Sequence, residues 1–528
     1  MMEEKKIVIS IGEVLYISFF SLMLAAKGIG LYDGQALYKI LFLTAMILAV
    51  AKICMTKYSV GEWIMLIGIG AITGAVYLVS REKGVLLCTA VVLAVKNVSV
   101  KKIFKVGAWV WGITMSENIL YHLIFLENSG YKVHEKLGLG HIFRWDLGFS
   151  HPNVLHIAYL TMAAFIVYNL GKKYDWKAML GLMAGNFLIF LYSVSYTGIL
   201  VVTLYLGMAW YVSIRKKLGR VEYGLLELVF PVCLFLSFLS PFLLPEKLFN
   251  IVNQIFSTRL SLAKYFLVEE NMKLFGNNLA EITTYQLTMD NSYVFAFIIY
   301  GIVFFSLIII GYLGTVHMQV RNKETGSLVM IAAFLIAGIS EPFLFNTSFK
   351  NITLVFVGEF LFSCFQKKDR SRREWGIYPL GDRKITLGNR NSSIWIKAFS
   401  ELWNLKKSRI LTFSVIVGIM VGMFVGISCK MPEGYIVPRS QADMESEETY
   451  YLESREDVRY TGYQIMDYQN PETKMQVFDG TIVQVERFRR GVSAACAAAV
   501  ITGGLYAAGA WIRSGRRKAA INEGFNGK

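Results

Sequence analysis

The stretch "SYVFAFIIYGIVFFSLIIIGYLG", residues 292–314, contains no charged side chain. An α-helix of about 20 apolar residues crosses the hydrocarbon core of a bilayer, because each residue adds about 1.5 Å to a core about 30 Å thick. Apolar runs of this kind recur along the whole 528-residue chain, of which 55% is hydrophobic and 17% is charged. A soluble protein carries about 25% charged residues. The sequence therefore predicts an all-α integral membrane protein.

The predicted protein crosses the membrane about fourteen times. The apolar runs lie near residues 8–30, 35–52, 61–80, 84–100, 104–125, 151–170, 177–195, 197–213, 222–245, 292–314, 326–342, 350–366, 409–429 and 490–512. Each run has about the length of one transmembrane helix. The segment "MMEEKKIVIS" leads into the first run without a cleavage site of small residues, so we expect this span to be retained.

The basic residues predict the orientation of these spans. The formal net charge is +16, and the lysines and arginines accumulate in alternate loops, as the positive-inside rule requires of cytoplasmic loops. With both termini in the cytoplasm, only "REK" at 81–83 departs from this rule. The segments 126–150, 192–198, 246–291 and 340–349 are then extracellular. We find no recognition helix or basic platform for nucleic acid, and we expect no nucleic-acid partner.

The chain is predicted to divide at a basic linker. Residues 1–366 form a polytopic domain, 367–408 a cytoplasmic linker, and 409–528 a hairpin of two spans with an outer segment, 431–489. This outer segment is acidic, rich in tyrosine and poor in aliphatic residues, so a domain formed there must be small or depend on partners. The last span is rich in alanine and glycine, which favours close helix packing and indicates either homo-oligomerisation or docking of a partner such as a chain-length regulator.

The cysteines give no sign of a metal site or of a disulfide framework. They show no CxxC pair and no metal-binding spacing, and they lie in or beside apolar runs, where we expect them to fill the core. The six are Cys54, Cys88, Cys233, Cys364, Cys429 and Cys496.

Polar residues collect in the segments predicted to be extracellular. The first such segment is "FRWDLGFSHPN" at 143–153. It is followed by "SYTGIL" at 195–200, "STRLSLA" at 257–263, "LFG" at 274–276 and "DNSY" at 290–293. The polar candidates for a functional site in these segments and beyond the span near 326–342 are Arg144, Asp146, His151, Asn153, Arg259, Lys264, Asp290 and Glu341.

In this order and at these loop positions, the motifs resemble those of the O-antigen and capsular polysaccharide polymerases, over roughly residues 8–365. They are also similar to the O-antigen ligases, which share the arginine before "LFG". The resemblance implies a multi-pass glycosyltransferase of the bacterial plasma membrane. Its substrate would be an undecaprenyl-pyrophosphate-linked oligosaccharide, transferred to a sugar hydroxyl at the outer face. The resemblance implies neither a metal nor any other cofactor.

The charged residues suit such a donor. Arginine binds phosphate oxygens through two parallel donors and keeps its charge in a partly dry site. We therefore expect Arg144 and Arg259 to hold the pyrophosphate while charge develops on it during cleavage of the bond to C1. Asn153, Lys264 and Asp290 are the further residues expected to bind substrate.

The acceptor hydroxyl needs a general base, and several groups could supply it. His151 has an ordinary pKa of about 6.5 and stands beside the arginine motif. Asp290 lies at a predicted helix N-terminus, where the helix dipole would make it a weaker base. We favour His151 or Asp146, and Glu341 is the third candidate for a catalytic role.

The same residues permit plainer interpretations. Arg144 and Arg259 could be interfacial side chains that reach lipid headgroups. His151 could simply precede a helix that begins at Pro152. Three residues fit helix N-caps, namely Ser195, Thr197 and Asp290.

Two other functions remain open, and so does the role of the hairpin 409–528. A flippase for lipid-linked oligosaccharides has a similar span count, but it should carry its cationic residues at membrane depth. A ligase would move finished glycan to another acceptor. The hairpin loosely resembles chain-length determinant proteins, so it could regulate polymer length or serve as an anchor. Its outer segment offers no arginine–histidine cluster, and we predict no direct chemical role there.

Overall fold

The computed structural model describes residues 7–136, 140–215, 217–255, 259–282, 288–366, 374–387, 407–430, 434–437, 476–479 and 481–525. About 76% of the structure is helical. Within these residues, seven helices are long and apolar enough to cross a membrane: Ile11–Gly28, Ala36–Met55, Val60–Ser80, Pro152–Lys173, Tyr196–Ile214, Arg220–Phe238 and Ser292–Asn322. The chain is a multi-pass, predominantly α-helical membrane protein. Its predicted fourteen spans and cytoplasmic termini stay predictions.

The first part of the chain contains eight of the helices that we number and three short strands. They are β1 (Ile7–Ser10), α1 (Ile11–Gly28), α2 (Ala36–Met55), α3 (Val60–Ser80), α4 (Gly84–Leu93), α5 (Val100–Ile124), β2 (Tyr131–Lys136), β3 (Gly140–Trp145), α6 (Pro152–Leu170), α7 (Trp176–Ser193) and α8 (Tyr196–Ile214). Strands β2 and β3 form an antiparallel hairpin.

The second part of the chain continues with helices of very different lengths. They are α9 (Arg220–Phe238), α10 (Ser240–Leu243), α11 (Glu246–Ile255), α12 (Arg259–Glu269), α13 (Leu279–Ile282), α14 (Ser292–Asn322), α15 (Thr325–Ala337), α16 (Leu354–Gln366), α17 (Lys407–Ser428) and α18 (Thr481–Phe525). The strands are β4 (Lys384–Leu387), β5 (Gly434–Val437) and β6 (Gln476–Asp479), of which β4 pairs with β1 and β5 with β6. Residues 367–373 and 388–406 of the predicted linker lie outside the described residues.

The described chain forms two compact units, whose boundaries do not follow the order of the sequence. We call one the helical core unit, which contains residues 7–116 and 153–386. The other is the hairpin unit, which contains residues 117–152 and 387–528. The domain boundaries that the sequence places at 366 and 408 stay predictions.

Two helices of the core unit begin with a capping box, in which a serine and a glutamate satisfy each other's backbone N–H groups. Ser10 and Glu13 cap α1, and Ser59 and Glu62 cap α3. Each glutamate also binds a lysine from elsewhere in the unit. Glu13 lies 2.8 Å from Nζ of Lys102, and Glu62 lies 2.7 Å from Nζ of Lys96. Glu13 and Glu62 thus complete the capping boxes of two apolar helices and also balance the charges of two lysines.

The long helix α14 is the centre of the core unit, where it contacts α3, α9, α15 and α16. Its tyrosines hold the end of α15 and the loop 338–353, which connects α15 to α16. The hydroxyl of Tyr293 donates to the carbonyl of Leu335 over 2.6 Å, and that of Tyr300 donates to the carbonyl of Phe345 over 2.7 Å. Both tyrosines are fully buried. A buried backbone carbonyl needs such a donor, so these bonds fix the position of the loop.

Candidate functional site

The helical core unit contains an ion-pair cluster of Arg259, Asp290 and Glu341. Arg259 is the first residue of α12, Asp290 lies two residues before α14, and Glu341 lies in the loop 338–353. Nη2 of Arg259 is 2.8 Å from Oε1 of Glu341 and 3.6 Å from Oδ2 of Asp290. The side chains of Arg259 and Glu341 are each only 8% exposed. Three candidates from distant parts of the sequence therefore lie together, and two of them are largely shielded from water, whereas Asp290 is 31% exposed.

In the motif "DNSY" two adjacent residues have different roles, because one caps a helix and the other forms an ion pair. The interpretation of Asp290 as the N-cap of α14 is wrong. Asn291 is the N-cap, because its side-chain oxygen accepts from the N–H groups of Tyr293 and Val294 over 2.9 and 3.1 Å. The neighbouring Asp290 is left to pair with Arg259. The interpretation of Ser195 is confirmed, since its side chain caps α8.

The third residue of this motif fixes the backbone that carries Glu341. The hydroxyl of Ser292 donates to the carbonyl of Glu341 over 2.5 Å and accepts from the N–H of Leu344 over 3.2 Å. The N–H of Ser292 itself donates to the carbonyl of Gly338 over 2.8 Å. Because Ser292 is fully buried, these three bonds leave the Glu341 segment little freedom. The first turn of α14 thus positions two acids of the cluster.

The motif "LFG" explains how the segment after α12 is anchored. Helix α14 is broken at Gly301, whose φ is +77°. The N–H groups of Ile302 and Val303 therefore donate to carbonyls of the loop 271–277, both over 3.1 Å. A Cβ atom on Gly301 would lie 2.2 Å from the backbone nitrogen of Gly276. Irregular backbone is tolerated in a membrane protein where other protein groups satisfy it, as they do here.

Lys264 lies away from the Arg259 cluster. Its side chain is exposed on α12, and Nζ lies 5.6 Å from the ring centroid of Phe249 and 5.9 Å from that of Phe242. Among the described residues it forms no ion pair. A cation over aromatic faces is suited to an interface between water and lipid.

The hairpin unit contains Arg144 and Asp146. Arg144 lies in β3, opposite Lys132 of β2. It is only 3% exposed, and its neighbours Phe143 and Trp145 on the other face of the strand are also buried. Successive residues of a strand point to opposite faces. Both faces of β3 are therefore covered at this point, which is unusual for a charged residue in a connecting loop.

Asp146 closes the β2–β3 hairpin. Its Oδ1 atom accepts from the N–H groups of Gly130 and Gly148 over 3.1 and 3.0 Å. Leu147 and Gly148 both have positive φ, which turns the chain back over the carboxylate. Burial raises the pKa of Asp146 from 3.8 to about 6, and the two N–H donors and Lys132 only partly oppose this shift.

The last helix holds the same strand through a pair of buried ionic residues. The indole Nε1 of Trp145 donates to Glu486 over 3.0 Å, and Nη1 of Arg489 donates to the carbonyl of Phe143 over 2.7 Å. Glu486 and Arg489 form an ion pair with each other and are 0% and 1% exposed. Both residues belong to the outer segment to which the sequence analysis assigned no chemical role. Helix α18 therefore contacts the residues that flank Arg144.

His151 and Asn153 stand on either side of Pro152, which begins α6 as predicted. Both are partly exposed. His151 belongs to the hairpin unit, whereas Asn153 belongs to the helical core unit.

A second histidine, which is not among the predicted site residues, lies five residues after His151. His156 is fully buried in α6, with Nε2 2.7 Å from Oδ1 of Asn186 and Nδ1 3.0 Å from Oγ of Ser193. An amide oxygen only accepts, so Nε2 carries a proton in this bond, and Nδ1 shares the other bond with the serine hydroxyl. Gly198 of "SYTGIL" packs against this ring. A histidine within an apolar run was the signal that could have identified this network.

The fold and these sites define a multi-pass membrane protein with buried ionic clusters. The chain matches no family model, no curated protein and no solved structure.

Proposed function

We propose that this protein is a metal-independent membrane glycosyltransferase that polymerises undecaprenyl-pyrophosphate-linked oligosaccharide repeats for a surface polysaccharide. It would act at the outer face of a bacterial plasma membrane, with about fourteen spans and both termini in the cytoplasm. The observation that supports this proposal best is the Arg259–Glu341 ion pair with Asp290 beside it. These residues come from segments predicted to be extracellular, where a glycan on the outer leaflet can reach them.

The cluster suits a phosphate-bearing donor. One guanidinium faces two carboxylates, Asp290 and Glu341, in a place largely shielded from water. When a pyrophosphate arrives, its oxygens compete with these carboxylates for the fork of donors on Arg259. Charge that develops on the leaving pyrophosphate strengthens its interaction with the arginine, which is how a binding residue accelerates bond cleavage. The acids keep the guanidinium oriented while the donor is absent.

The reaction requires one proton transfer and one substitution. The acceptor hydroxyl gives its proton to a general base while its oxygen forms the new bond to C1 of the donor sugar. The bond between C1 and the pyrophosphate oxygen breaks, and lipid pyrophosphate leaves with the electron pair. Asp146 is our preferred base. Its pKa of about 6 keeps it ionised at neutral pH and makes it more basic than an ordinary carboxylate. His151 and Glu341 are the other candidates.

Glu486 and Arg489 act as positioning residues in this proposal. They hold the backbone at Phe143 and the side chain at Trp145, on both sides of Arg144. Arg144 would be the second cation for the donor. A fixed strand keeps such a guanidinium oriented, and a misplacement of about 1 Å is enough to lower the rate strongly.

Substitution of the arginines in cells tests this function. Arg144→Ala and Arg259→Ala should each lower polymer formation about 100-fold to 1,000-fold, as the loss of one transition-state donor does in other enzymes. Single lipid-linked repeats should then accumulate on the outer leaflet. Lysine should restore little, because it lacks the planar fork. Lys247→Ala is the control, since Lys247 is an exposed lysine of α11 in the same predicted outer segment and is not a candidate site residue.

The same assay separates the proposal from its alternatives. Accumulation of repeats on the cytoplasmic leaflet would identify a flippase. Normal polymer that stays on the carrier lipid and is not passed to its final acceptor would identify a ligase.

A further inference from the structure

A second charged cluster lies in the helical core unit, near the loop 338–353. Its two most buried members are Lys27, in the last turn of α1, and Lys350, three residues before Thr353. They are 5% and 3% exposed. Nζ of Lys27 lies 3.9 Å from the ring centroid of Tyr38, whose hydroxyl donates to the carbonyl of Thr347 over 3.3 Å. Tyr38 thus connects Lys27 to the loop that also carries Glu341.

Neither of these two ammonium groups forms a hydrogen bond or an ion pair with another described residue. An unpaired buried ammonium is costly, and each of these two also repels the other. The other two buried lysines of the described unit, Lys52 and Lys96, differ from them in this respect, because both donate hydrogen bonds. Lys83 pairs with Asp33 over 2.7 Å, and Lys96 pairs with Glu62 over the same distance.

The acids nearby are already engaged by other donors. Asp33 is bound by Lys83, and the carboxylate of Glu82 accepts from the backbone N–H groups of Gly84 and Thr347. Lys27 is close enough to interact electrostatically with both of these acids and with Lys350. Because the two acids already have other donors, neither Lys27 nor Lys350 has a hydrogen-bonded anion among the described residues. Two members of this cluster, Glu82 and Lys83, belong to the segment "REK" at 81–83, which is the single exception to the positive-inside pattern.

We infer that Lys27 and Lys350 form an anion-binding site for a phosphate-bearing group. Ammonium groups bind phosphate oxygens as point charges with rotatable donors, and a pair of them suits a group with several negative oxygens. Glu341 precedes Lys350 by nine residues in one loop, which the tyrosines of α14 hold in place. The phosphate comes either from the pyrophosphate of the donor, in which case the inference rests on the proposed function, or from a phospholipid headgroup.

Binding is measured on the full chain, purified in uncharged detergent, through the midpoint of thermal unfolding. Inorganic pyrophosphate should raise this midpoint in the wild type, whereas sodium chloride of equal ionic strength should not. Lys27→Met and Lys350→Met should each weaken pyrophosphate binding about tenfold to a hundredfold, the usual effect of losing a charged hydrogen bond. Lys39→Met is the control, because Lys39 is exposed on α2 beside Tyr38.

The two sources of phosphate are separated by a second arm. The full chain is placed in vesicles of phosphatidylcholine alone and in vesicles that also contain phosphatidylglycerol. Stabilisation by phosphatidylglycerol that requires both lysines, without an effect of pyrophosphate, assigns the site to a phospholipid. Stabilisation by pyrophosphate assigns it to the donor.

The unfolding temperature without any anion distinguishes an anion site from a structural role for the lysines. If the lysines form an anion site, the methionine variants should unfold at the same temperature as the wild type or above it, because an unpaired buried charge is gone. If the lysines stabilise the fold, the variants should unfold at a lower temperature. The inference is overturned if neither pyrophosphate nor phosphatidylglycerol stabilises the wild type, or if the variants keep the full effect. Binding without any glycosyl transfer would instead overturn the proposed function and leave the site intact.

Discussion

Trp145 donates a hydrogen bond over 3.0 Å to Glu486, a residue 341 positions later in the chain. The indole and the carboxylate are both buried, and Arg489 adds an ion pair to the same carboxylate. This contact connects the strand that carries Arg144 to the last helix of the protein. The C-terminal part of the chain is therefore a structural partner of the motif "FRWDLGFSHPN" within the hairpin unit.

The first prediction concerns this buried pair. Glu486→Ala leaves the guanidinium of Arg489 buried without its carboxylate, so we expect the hairpin unit to lose about 3–5 kcal/mol of stability. Hydrogen exchange of the β2–β3 amides in the full chain measures this loss. Phe488→Ala is the control, because Phe488 is 59% exposed on the same turn of α18. Unchanged protection of β2 and β3 in Glu486→Ala would contradict the role assigned to the pair.

The second prediction concerns the break in α14. Gly301→Ala should destabilise the protein by more than the 1–2 kcal/mol that a left-handed backbone costs, because the new methyl group would also meet Gly276. Gly68→Ala provides the comparison, since a Cβ there has no neighbour within 4 Å and alanine favours helix. Thermal unfolding of the two variants in detergent gives the difference. Equal midpoints would show that the loop 271–277 does not depend on this glycine.

The third prediction concerns pH and Asp146. Its folded pKa of about 6 lies above the ordinary value of 3.8. The folded state therefore binds more protons between these values, and its stability falls as pH rises from 4 to 6. We expect a loss of about 1–2 kcal/mol after screening by solvent. Asp146→Asn should remove this slope, which pH-dependent denaturant unfolding measures.

The activity should change in the opposite direction. If Asp146 is the base, the rate of glycan transfer rises as the carboxylate ionises, with an apparent pKa of about 6. A rate that follows the same pH curve in Asp146→Asn would assign the base to another group.

Part of this structure could be predicted from the sequence, and the limits have physical causes. The apolar run at 292–314 predicted the core of α14, but glycine is frequent in transmembrane helices, so the run does not reveal the break at Gly301. The helix cap could not be assigned correctly from the sequence, because Asp290 and Asn291 are adjacent and both residue types cap helices well. In the structure Asn291 caps α14, and Asp290 pairs with Arg259.

The burial of Glu486 and Arg489 in the hairpin unit could not be predicted from the sequence, for a different reason. Glu486 and Arg489 lie in a polar segment that is typical of solvated loops, and nothing local indicates that they are buried against β3. Lys27 and "REK" did give a signal, because charged residues in or beside an apolar run are costly. Their proximity to Lys350, however, depends on how the loop 338–353 is folded.

The fourth prediction concerns orientation. Cysteines placed at the exposed positions Asn128 and Glu281 should react with an impermeant thiol reagent on intact cells, whereas one at Tyr378 should react only after lysis. The exposed Cys364 is first replaced by serine. Position 130 is unsuitable, because a side chain there would displace the carboxylate of Asp146. Labelling of Tyr378→Cys alone on intact cells would invert the predicted topology and exclude transfer at the outer face.

The most direct measurement is glycan transfer by the purified full chain in phospholipid vesicles. The protein receives an undecaprenyl-pyrophosphate-linked oligosaccharide repeat without divalent metal, and the products are separated by length. We predict a ladder of polymers from the wild type, and a loss of about 100-fold or more in both Arg259→Lys and Glu341→Gln. Lys247→Gln should still produce the ladder, because Lys247 is exposed and is not a candidate site residue. Movement of the donor across the bilayer with no increase in glycan length would contradict the proposed function.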